Sequence, residues 1–461
     1  MIGTAAHSIL AESDLGSQPM TTAERVLRIA RSKVAGAEVE VTVRHGTEAL
    51  TRFARSFIHQ NVAQETTSIS VRLALDGRSA AARLDGRPDD DALGRLIDGA
   101  LEAARVRPVD PDWPGIAPPA EAPDVDHWDE PTALASPDDR ASLVGDFVAA
   151  GDGLETAGAC ATAGLSIAFA NSAGQRLTGR MTSASLDGIC RAPGSDGSGR
   201  QAGVSLGSID GRAIGQRAAM KARSAMDPTE LGPGRYEVLL EPQCVANMLH
   251  FLFVYGFNGL ATEEGRSFVR LGETQFDPAI TLRDDVTERR TVGVAFDAEG
   301  TPKVPLEVVH AGVTSAILHT RRTAAKAGTQ STGHATADAW EPGAVPANIV
   351  IEPGDRSPER LIEGVGRGLL VTDFWYTRIL DPRTQVVTGL TRNGVWLIED
   401  GRIVRPVSNL RFTQSFSAAL APGAVRGVGS ERPLIYGGGD GAALVPALHL
   451  AAWNFTGGAR G

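Results

Sequence analysis

The sequence predicts an α+β protein, with an N-terminal sheet that carries packed helices and a C-terminal, largely antiparallel β domain with few helices. Apolar and polar residues alternate through residues 37–86, helix-periodic segments recur mainly in the first half, and short alternating segments with tight turns dominate after residue 235. The 461 residues also exceed what one core usually organises. Two domains are therefore expected.

The first twenty residues are predicted to be a disordered lead-in. They carry acids where a signal peptide needs basic residues, and their apolar stretch is short. Thr21 and Glu24 have capping-box spacing, which predicts that the first helix begins at Thr21. Because Met20 directly precedes this pattern, the true start is either Met1 or Met20.

Residues 21–226 are predicted to form the N-terminal α+β domain. Its strands surround an Asp76-Gly77 turn, and a helix with one apolar face follows it. Further along the chain we expect a surface loop over 107–137, a helix that starts at Ser136-Pro137-Asp138, strands around 171–174, a loop over 192–203 and a helix over 209–226.

The segment 227–235 is rich in Pro and Gly and predicts a domain boundary. Residues 235–461 then form the β-rich domain, and an apolar helix within 244–259 interrupts its strands. The segment 291–319 is expected to form strands, and His310 and His319 are expected to be sheet residues beside an Ala-Gly turn. The Gly-rich segment 364–368 lacks a dinucleotide-binding pattern and predicts a turn before a strand.

Composition excludes several classes of partner. The formal net charge is -10, and no run of Lys or Arg suits nucleic acid or a membrane surface. No apolar segment approaches the ~18 to 20 residues that a bilayer-spanning helix needs. Cys160, Cys190 and Cys244 are odd in number and lack C-x-x-C spacing, which disfavours a disulfide scaffold or structural zinc and predicts a cytoplasmic protein.

Four segments resemble one known family when they are taken together and in order. They are "GRSFVRLGETQFDPAITLRDD" (265–285), "RRTAAKAGTQSTGHA" (321–335), "GLLVTDFW" (368–375) and "GVWLIEDGRIVRPVSNL" (394–410). This set resembles the TldD/PmbA family, and specifically its PmbA (TldE) branch. The resemblance implies a pair of related subunits, a zinc peptidase and a partner without the metal site, which together degrade or trim unfolded and precursor peptides.

The resemblance also implies where a zinc site would lie. The catalytic branch carries His-Glu-x-x-x-His on a helix and a later Cys, which supply three ligands and a general base. Aligning that pattern here gives His250 at the first ligand, Phe251 at the base, Tyr255 at the second ligand and Gly437 at about the third. Phe and Gly offer zinc no donor atom, and a phenol is a rare ligand. We therefore expect no catalytic residue, metal or cofactor in this chain, and zinc in the partner subunit.

The remaining candidates are expected to bind substrate or the partner. The segment "AGTQSTGHA" (327–335) is predicted to form an exposed strand edge that lines a shared cleft and accepts an extended peptide. A surface turn without contacts, a core role for His250 and solvated arginines are the competing interpretations. The candidate residues are His250, Tyr255, Arg266, Arg270, Lys326, Ser331, Thr332, Gly333 and His334.

Other kinds of catalysis have weaker support. No G-x-S-x-G pattern is present, and Cys244 at the start of a helix is better explained as a small apolar residue than as a nucleophile. Three hypotheses follow. The chain is a non-catalytic subunit that pairs with a TldD-like zinc peptidase, a homodimeric peptide-binding or scaffold protein, or a natural-product tailoring enzyme of the same family.

Overall fold

A computed structural model describes residues 14–337, 343–436 and 441–458. Its ten α-helices, in the described part of the chain, are α1 (Asp14–Lys33), α2 (Asp90–Val106), α3 (Glu130–Ala133), α4 (Pro137–Ala150), α5 (Gly211–Ser224), α6 (Pro242–Tyr255), α7 (Gly259–Glu263), α8 (Arg321–Ala327), α9 (Pro358–Glu363) and α10 (Phe416–Ala419). One 3₁₀ turn spans Leu206–Ser208. None of these helices is both long and apolar enough to cross a membrane.

The described strands form three sheets. Those of the first half are β1 (Glu38–Ala54), β2 (Phe57–Leu75), β3 (Arg78–Asp85), β4 (Glu155–Asn171), β5 (Arg176–Ala192) and β6 (Ser195–Gly203). Those of the second half are β7 (Gly234–Leu240), β8 (Leu282–Asp284), β9 (Leu306–His310), β10 (Val313–Thr314), β11 (Asn348–Ile351), β12 (Arg367–Asp381), β13 (Val386–Glu399), β14 (Arg402–Pro406), β15 (Leu410–Ser415), β16 (Val425–Val428), β17 (Leu434–Tyr436), β18 (Ala442–Leu444) and β19 (Leu448–Gly458). The predicted α+β class is confirmed.

The first sheet is antiparallel throughout, in the order β3-β2-β1-β4-β5-β6. Its longest hairpin turns at Arg55 and Ser56, which both have positive φ, as a two-residue turn requires. Helix α1 packs on β1 and β4, and α2 packs on β2 and β3. Helix α4 packs on β1 and β4, and α5 packs on β5 and β6. Two adjoining apolar cores result.

The Gly-rich segment 192–203 is mostly the strand β6, so its prediction as a loop is wrong. A Cβ at Gly197 would lie 2.2 Å from the carbonyl oxygen of Ala218, and one at Gly199 would lie 2.2 Å from that of Ile214. These glycines therefore let α5 pack directly on the strand. The glycines that suggested a turn are instead required by the close contact between a helix and a strand.

The second half contains the other two sheets. The smaller has the order β10-β9-β8-β11-β18-β17, and the larger has the order β12-β7-β19-β15-β13-β14. A further pairing of β12 with β13 closes five strands of the larger sheet into a ring. Most pairings are antiparallel; β7–β12 and β11–β18 are parallel. The division of the chain at residues 227–235 stays a prediction.

Helix α6 lies in the largest apolar core, between the ring and the smaller sheet. Seven of its residues are buried, namely Cys244, Val245, Met248, Leu249, Phe251, Leu252 and Phe253. Ion pairs join this half to the first: Arg200 on β6 contacts Asp373 on β12 at 2.7 Å, and Lys221 on α5 contacts Glu241 at 2.6 Å. The position of α6 is therefore fixed from both halves of the molecule.

Two further expectations differ from the structure. Helix α1 begins at Asp14 and contains Pro19, so the predicted start at Thr21 is wrong. Residues 1–13 lie outside the described part of the chain. Within 291–319 only β9 and β10 are strands, and His319 lies outside both of them, so its prediction as a sheet residue is wrong. His310 is the last residue of β9.

Candidate functional site

Helix α6 is the helix onto which the catalytic pattern was aligned. It begins with Pro242 at its first position and ends before Gly256, where a Cβ would lie 2.1 Å from the Phe268 ring. The tight contact with Phe268 therefore requires glycine at the helix end. Asn258 then caps the next short helix by accepting a hydrogen bond from the backbone N–H of Leu260 at 3.0 Å. The local fold holds the end of α6 in a single position.

Phe251 and Tyr255 form an aromatic stack on this helix. Their ring centroids are 5.8 Å apart with an interplanar angle of 25°, and Phe251 also meets the Phe416 ring edge-on at 5.8 Å. The Phe251 side chain is buried and Tyr255 is half-buried. The position of the expected general base is thus filled by a ring that packs into the core.

His250 points away from that core. Its side chain is exposed, and its ring meets Phe251 edge-on with centroids 6.1 Å apart. The competing interpretation of His250 as a core residue is therefore wrong. Position 437, the candidate third ligand, lies outside the described residues.

The donor atoms near α6 do not fit a zinc ion. An exposed imidazole, a buried phenyl ring and a phenol are not the three-ligand set that catalytic zinc requires. Within residues 14–337, 343–436 and 441–458, no three His, Cys, Asp or Glu side chains are grouped to hold a metal. We derive no zinc chemistry for this helix.

Cys244 is unsuited to thiol catalysis. Its side chain is fully buried, and its Sγ lies 3.6 Å from the carbonyl oxygen of Val371. Burial raises the pKa of the Cys244 thiol well above its ordinary value. The thiolate, which is the reactive form, is therefore disfavoured.

The loop after α7 carries the two candidate arginines. Arg266 donates to Glu264 at 2.7 Å, and Arg270 pairs with Glu273 three residues further on. Both side chains are substantially exposed, at 39% and 62%. They remain accessible to a partner or a peptide, although each already has a carboxylate neighbour.

The described segment 327–335 forms no strand, so its prediction as a strand edge is wrong. Ser331 and Thr332 both bond to the backbone of His319, at 3.1 Å and 2.8 Å. Gly333 has φ +76°, and a Cβ there would lie 2.6 Å from the carbonyl oxygen of Pro302. The small residues of this segment serve an internal contact rather than leaving room for an incoming chain.

His334 is buried at the end of this segment. Its Nε2 lies 3.1 Å from Asp284 Oδ1, and Asp284 Oδ2 accepts hydrogen bonds from the backbone N–H groups of Ala347 and Asn348 at 2.8 and 2.9 Å. Burial alone would raise the pKa of Asp284, but the neighbouring His334 and these donors hold it below its ordinary value. The prediction that His334 reaches a bound peptide is therefore wrong.

Lys326 is also engaged within the chain. Its Nζ lies 2.8 Å from Asp112 and 2.6 Å from Glu263. Hydrogen bonds to these two carboxylates raise the pKa of Lys326. The side chain links α8 to the loop that follows α2 and to α7.

Comparisons with known proteins relate the chain to one family of metallopeptidases. Residues 233–457 match the PmbA/TldA metallopeptidase C-terminal domain. A metalloprotease of Methanothermobacter thermautotrophicus is 28% identical over 284 residues, which cover 58% of this chain and 60% of that protein. The crystal structure of TldE from Thermococcus kodakarensis matches with a TM-score of 0.84 at 19% identity, covering 94% of this chain and 99% of that one.

Residues 233–457 are therefore a TldD/PmbA-family domain. A second metalloprotease, from Methanocaldococcus jannaschii, is 26% identical over 142 residues, which cover 30% of this chain and 32% of the relative. The matched region thus spans less than two thirds of both curated relatives. The likeness to TldE, at 19% identity, is one of fold.

The protein also has a cleft that the sequence did not suggest. The cleft has a volume of about 680 Å³ and lies where the β5–β6 hairpin faces β12 and β13. Trp375 and Tyr376 are exposed along it, and the Arg392 guanidinium lies 4.0 Å from the centre of the Trp375 ring. Register shifts in β12 on both sides of Trp375 turn this strand toward the cleft.

The motif "GLLVTDFW" contributed to the family resemblance, but it did not predict the cleft. Asp373 and Trp375 alternate with the core residue Phe374, so they share the face that meets the first half of the chain. The cleft depends on contacts between distant parts of the chain, such as the one between Arg200 and Asp373, which are 173 positions apart. The alternation of polar and apolar residues predicts which side chains share one face of the strand. Only the tertiary structure identifies the residues that lie opposite that face.

Proposed function

We propose that this protein is the non-catalytic, metal-free subunit of a TldD/TldE-type metallopeptidase heterodimer that processes or degrades unfolded or precursor peptides in the cytoplasm. The observation that carries the proposal is the Phe251–Tyr255 stack on α6. In the catalytic branch, the resemblance implies a general base and a zinc ligand at these two positions. Here both side chains are used for packing, and zinc is assigned to the partner subunit.

The partner is a TldD-like chain of related fold. His250, Arg266 and Arg270 lie on the surface near the end of α6, where a partner that completes an active site would approach. Their charges and hydrogen-bonding groups suit contacts with that subunit or with an acidic or terminal group of a peptide. Ser331, Thr332, Gly333, His334 and Lys326 position neighbouring loops instead.

The substrate is an extended peptide. The cleft between β5–β6 and β12–β13 is of ligand size and combines aromatic faces with hydroxyl and amide groups. Trp375 and Tyr376 could be contacted by side chains of many sequences, because aromatic stacking requires little of its partner. Such a surface fits a subunit that holds varied unfolded chains for a neighbouring catalytic subunit.

The decisive experiment measures zinc and peptide cleavage for the chain alone and for its complex with the zinc-bearing homologue from the same organism. We expect substoichiometric zinc and no cleavage for the chain alone, and zinc-dependent cleavage for the complex. Phe251→Glu should not create activity in the isolated chain, because the other ligands are still missing. About one tightly held zinc per isolated chain, or cleavage without the partner, would contradict the proposal.

A matched pair of variants tests the substrate cleft. Trp375→Ala should lower cleavage by the complex, whereas Leu380→Ala on the same strand changes another exposed apolar residue that does not line the cleft. Co-purification with the partner separates loss of binding from loss of assembly. Equal activity of the two variants would remove the cleft from the substrate path.

A further inference from the structure

The cleft between the β5–β6 hairpin and strands β12 and β13 contains an arginine whose N–H groups the chain itself does not use. The charged residues among its lining are Arg191, Asp196 and Arg392. Arg191 pairs with Asp196 at 3.0 Å. Within the described residues, the Arg392 guanidinium neither pairs with a carboxylate nor donates a hydrogen bond, although the residue is exposed. Arg392 is therefore available to a ligand.

The carboxylate that lies next to Arg392 in the sheet is turned to another partner. Asp373 is opposite Arg392 in the pairing of β12 with β13, but its side chain accepts a hydrogen bond from Arg200 at 2.7 Å. The Arg392 guanidinium lies instead over the Trp375 ring, with its Cζ 4.0 Å from the ring centre. This cation–π contact holds the guanidinium in place without using its N–H groups.

Two bulges shape the cleft around this contact. One lies in β13 at Asn393 and Gly394, and the other lies in β12 at Tyr376. The backbone φ is +58° at Asn393 and +50° at Tyr376. A bulky residue rarely adopts positive φ, and such strained positions cluster at functional sites. The bulges re-aim the side chains that flank Arg392 and Trp375.

Amide groups beside Arg392 are also available. The Asn393 side chain makes no hydrogen bond in the described part of the chain, and solvent reaches its amide although only 8% of the residue is exposed. The Oδ1 atom of Asn409 accepts a hydrogen bond from Thr391 at 3.4 Å, which leaves its NH₂ group for a ligand. Side-chain amides supply both donors and acceptors, as the backbone of a peptide requires.

We propose that this cleft binds the C-terminal end of a peptide, with the terminal carboxylate on Arg392 and the last side chain against Trp375 and Tyr376. The inference rests on the proposed function and gives the bound peptide a direction. A guanidinium presents parallel N–H groups that match both oxygens of a carboxylate. Peptides of varied sequence share only their backbone and their terminal groups, and the C-terminal carboxylate is the negative group that all of them carry.

The neighbouring charges favour a singly charged ligand. Asp196 lines the same cleft, and Asp373 lies opposite Arg392 in the ladder. These two carboxylates repel an anion with more than one charge, such as phosphate, more strongly than they repel a carboxylate. The exposed rings of Trp375 and Tyr376 also provide an apolar contact, which phosphate does not use and the last side chain of a peptide does.

Peptide binding to the isolated chain tests the role of the carboxylate. Three versions of one unstructured, N-terminally labelled peptide are compared by fluorescence anisotropy. The first lacks acidic residues and ends in leucine with a free carboxylate, the second is the same peptide with a C-terminal amide, and the third is the amide with one internal glutamate. We expect the free acid to bind about tenfold more tightly than either amide, because it alone places a charge-assisted hydrogen bond on Arg392.

Variants of Arg392 assign this preference to the cleft. Arg392→Gln should abolish the preference for the free acid, because it removes the charge and keeps a polar side chain. Arg392→Lys should restore only part of it, because a lysine has the charge without the paired N–H groups. Arg217→Gln is the matched control and should keep the full preference, since Arg217 is exposed on α5 and does not line the cleft. Circular dichroism establishes that each variant is folded.

Several results would overturn the inference. They are equal binding of the free acid and the amide to the folded chain, no binding of either, or a preference that Arg392→Gln leaves unchanged. Tight binding of the amide with an internal glutamate would also overturn it, because an acidic side chain would then be the ligand. None of these results changes the zinc content or the partner-dependent cleavage by which the proposed function is judged. Zinc in the isolated chain would contradict that function and leave these affinities unchanged.

Discussion

Helix α6 and the pocket around Asp284 both lie in the second half of the chain, yet they are buried by different chemistry. On α6, Phe251 is held by the rings of Tyr255 and Phe416. Asp284 is held by His334 and two backbone N–H groups. A phenyl ring needs only apolar neighbours, whereas a buried carboxylate needs each oxygen satisfied. An aromatic ring such as Phe251 can therefore be part of the core without polar partners. A buried acid such as Asp284 requires partners from several loops.

The two histidines show the same contrast. His250, on the helix that resembles a metal site, is exposed, whereas His334, in a loop of small residues, is buried against an acid. The neighbouring residues in sequence suggest the opposite, because His250 lies in an apolar helix and His334 lies among small polar residues. A histidine that anchors a buried carboxylate is unavailable for binding, and an exposed one remains available.

Asp284→Asn should produce the largest effect, because it leaves His334 without its buried partner. We expect a loss of about 3–5 kcal/mol in the free energy of unfolding, because more than one buried polar group loses its partner, at about 1–3 kcal/mol for each group. Denaturant titration measures it. Arg360→Ala is the control, because the Arg360–Glu363 pair is exposed and should contribute less than about 1 kcal/mol. Equal losses in the two variants would contradict the distinction.

Phe251→Ala should destabilise by about 3 kcal/mol, at the lower end of the range for buried aromatic residues because the ring is slightly exposed. Thermal and denaturant unfolding would both report the loss. Val106→Ala, at an exposed position, provides the comparison and should be nearly neutral. A neutral Phe251→Ala would show that α6 does not depend on this stack.

Asp297 provides a pH test of the polar region. Burial and the nearby Glu299 raise the pKa of Asp297 to about 6, although its side chain accepts hydrogen bonds from three backbone N–H groups. A raised carboxyl pKa means that the folded state binds the proton more tightly. Its contribution therefore makes the protein more stable as pH falls, on the order of 1 kcal/mol between about pH 7 and pH 5.

The lowered pKa of Asp284 acts in the opposite direction, since its contribution is present at neutral pH and is lost as pH falls through the folded-state pKa. Unfolding free energies of the unmodified chain and Asp297→Asn at both pH values would isolate the Asp297 increment. An identical pH dependence in the two proteins would contradict its assignment.

Arg270→Ala should have the smallest effect on stability, within about 0.5 kcal/mol, because its pair with Glu273 is solvent-exposed. The same variant is informative for function. Weaker co-purification with the zinc-bearing homologue, without loss of stability, would indicate a contact at the subunit interface. A large loss of stability would show that the loop has a structural role that its exposure conceals.

The sequence predicted those parts of the fold that depend on local patterns. Alternation and turn residues gave the meander from β1 to β3, and the hairpin around residues 171–174 is present as β4 and β5. The loop predicted over 192–203 is a strand because the contact of α5 with Gly197 and Gly199 is not visible locally. The site was harder to predict for the same reason: the partners of His334 and Trp375 lie far away in sequence.

The closed ring of five strands has a consequence for how the protein forms. Strand β7 is the first strand of the second half, and its neighbour β19 is the last described strand, so that His449 and Glu237, which face each other at 2.7 Å, are separated by 212 residues. Nearly the whole half must be synthesised before β7 finds this neighbour, and the loop entropy of so distant a contact slows the search. During that interval the apolar surface of α6 has no completed core to cover it. Ring closure, rather than helix formation, is therefore the step at which a nascent chain is most vulnerable to aggregation.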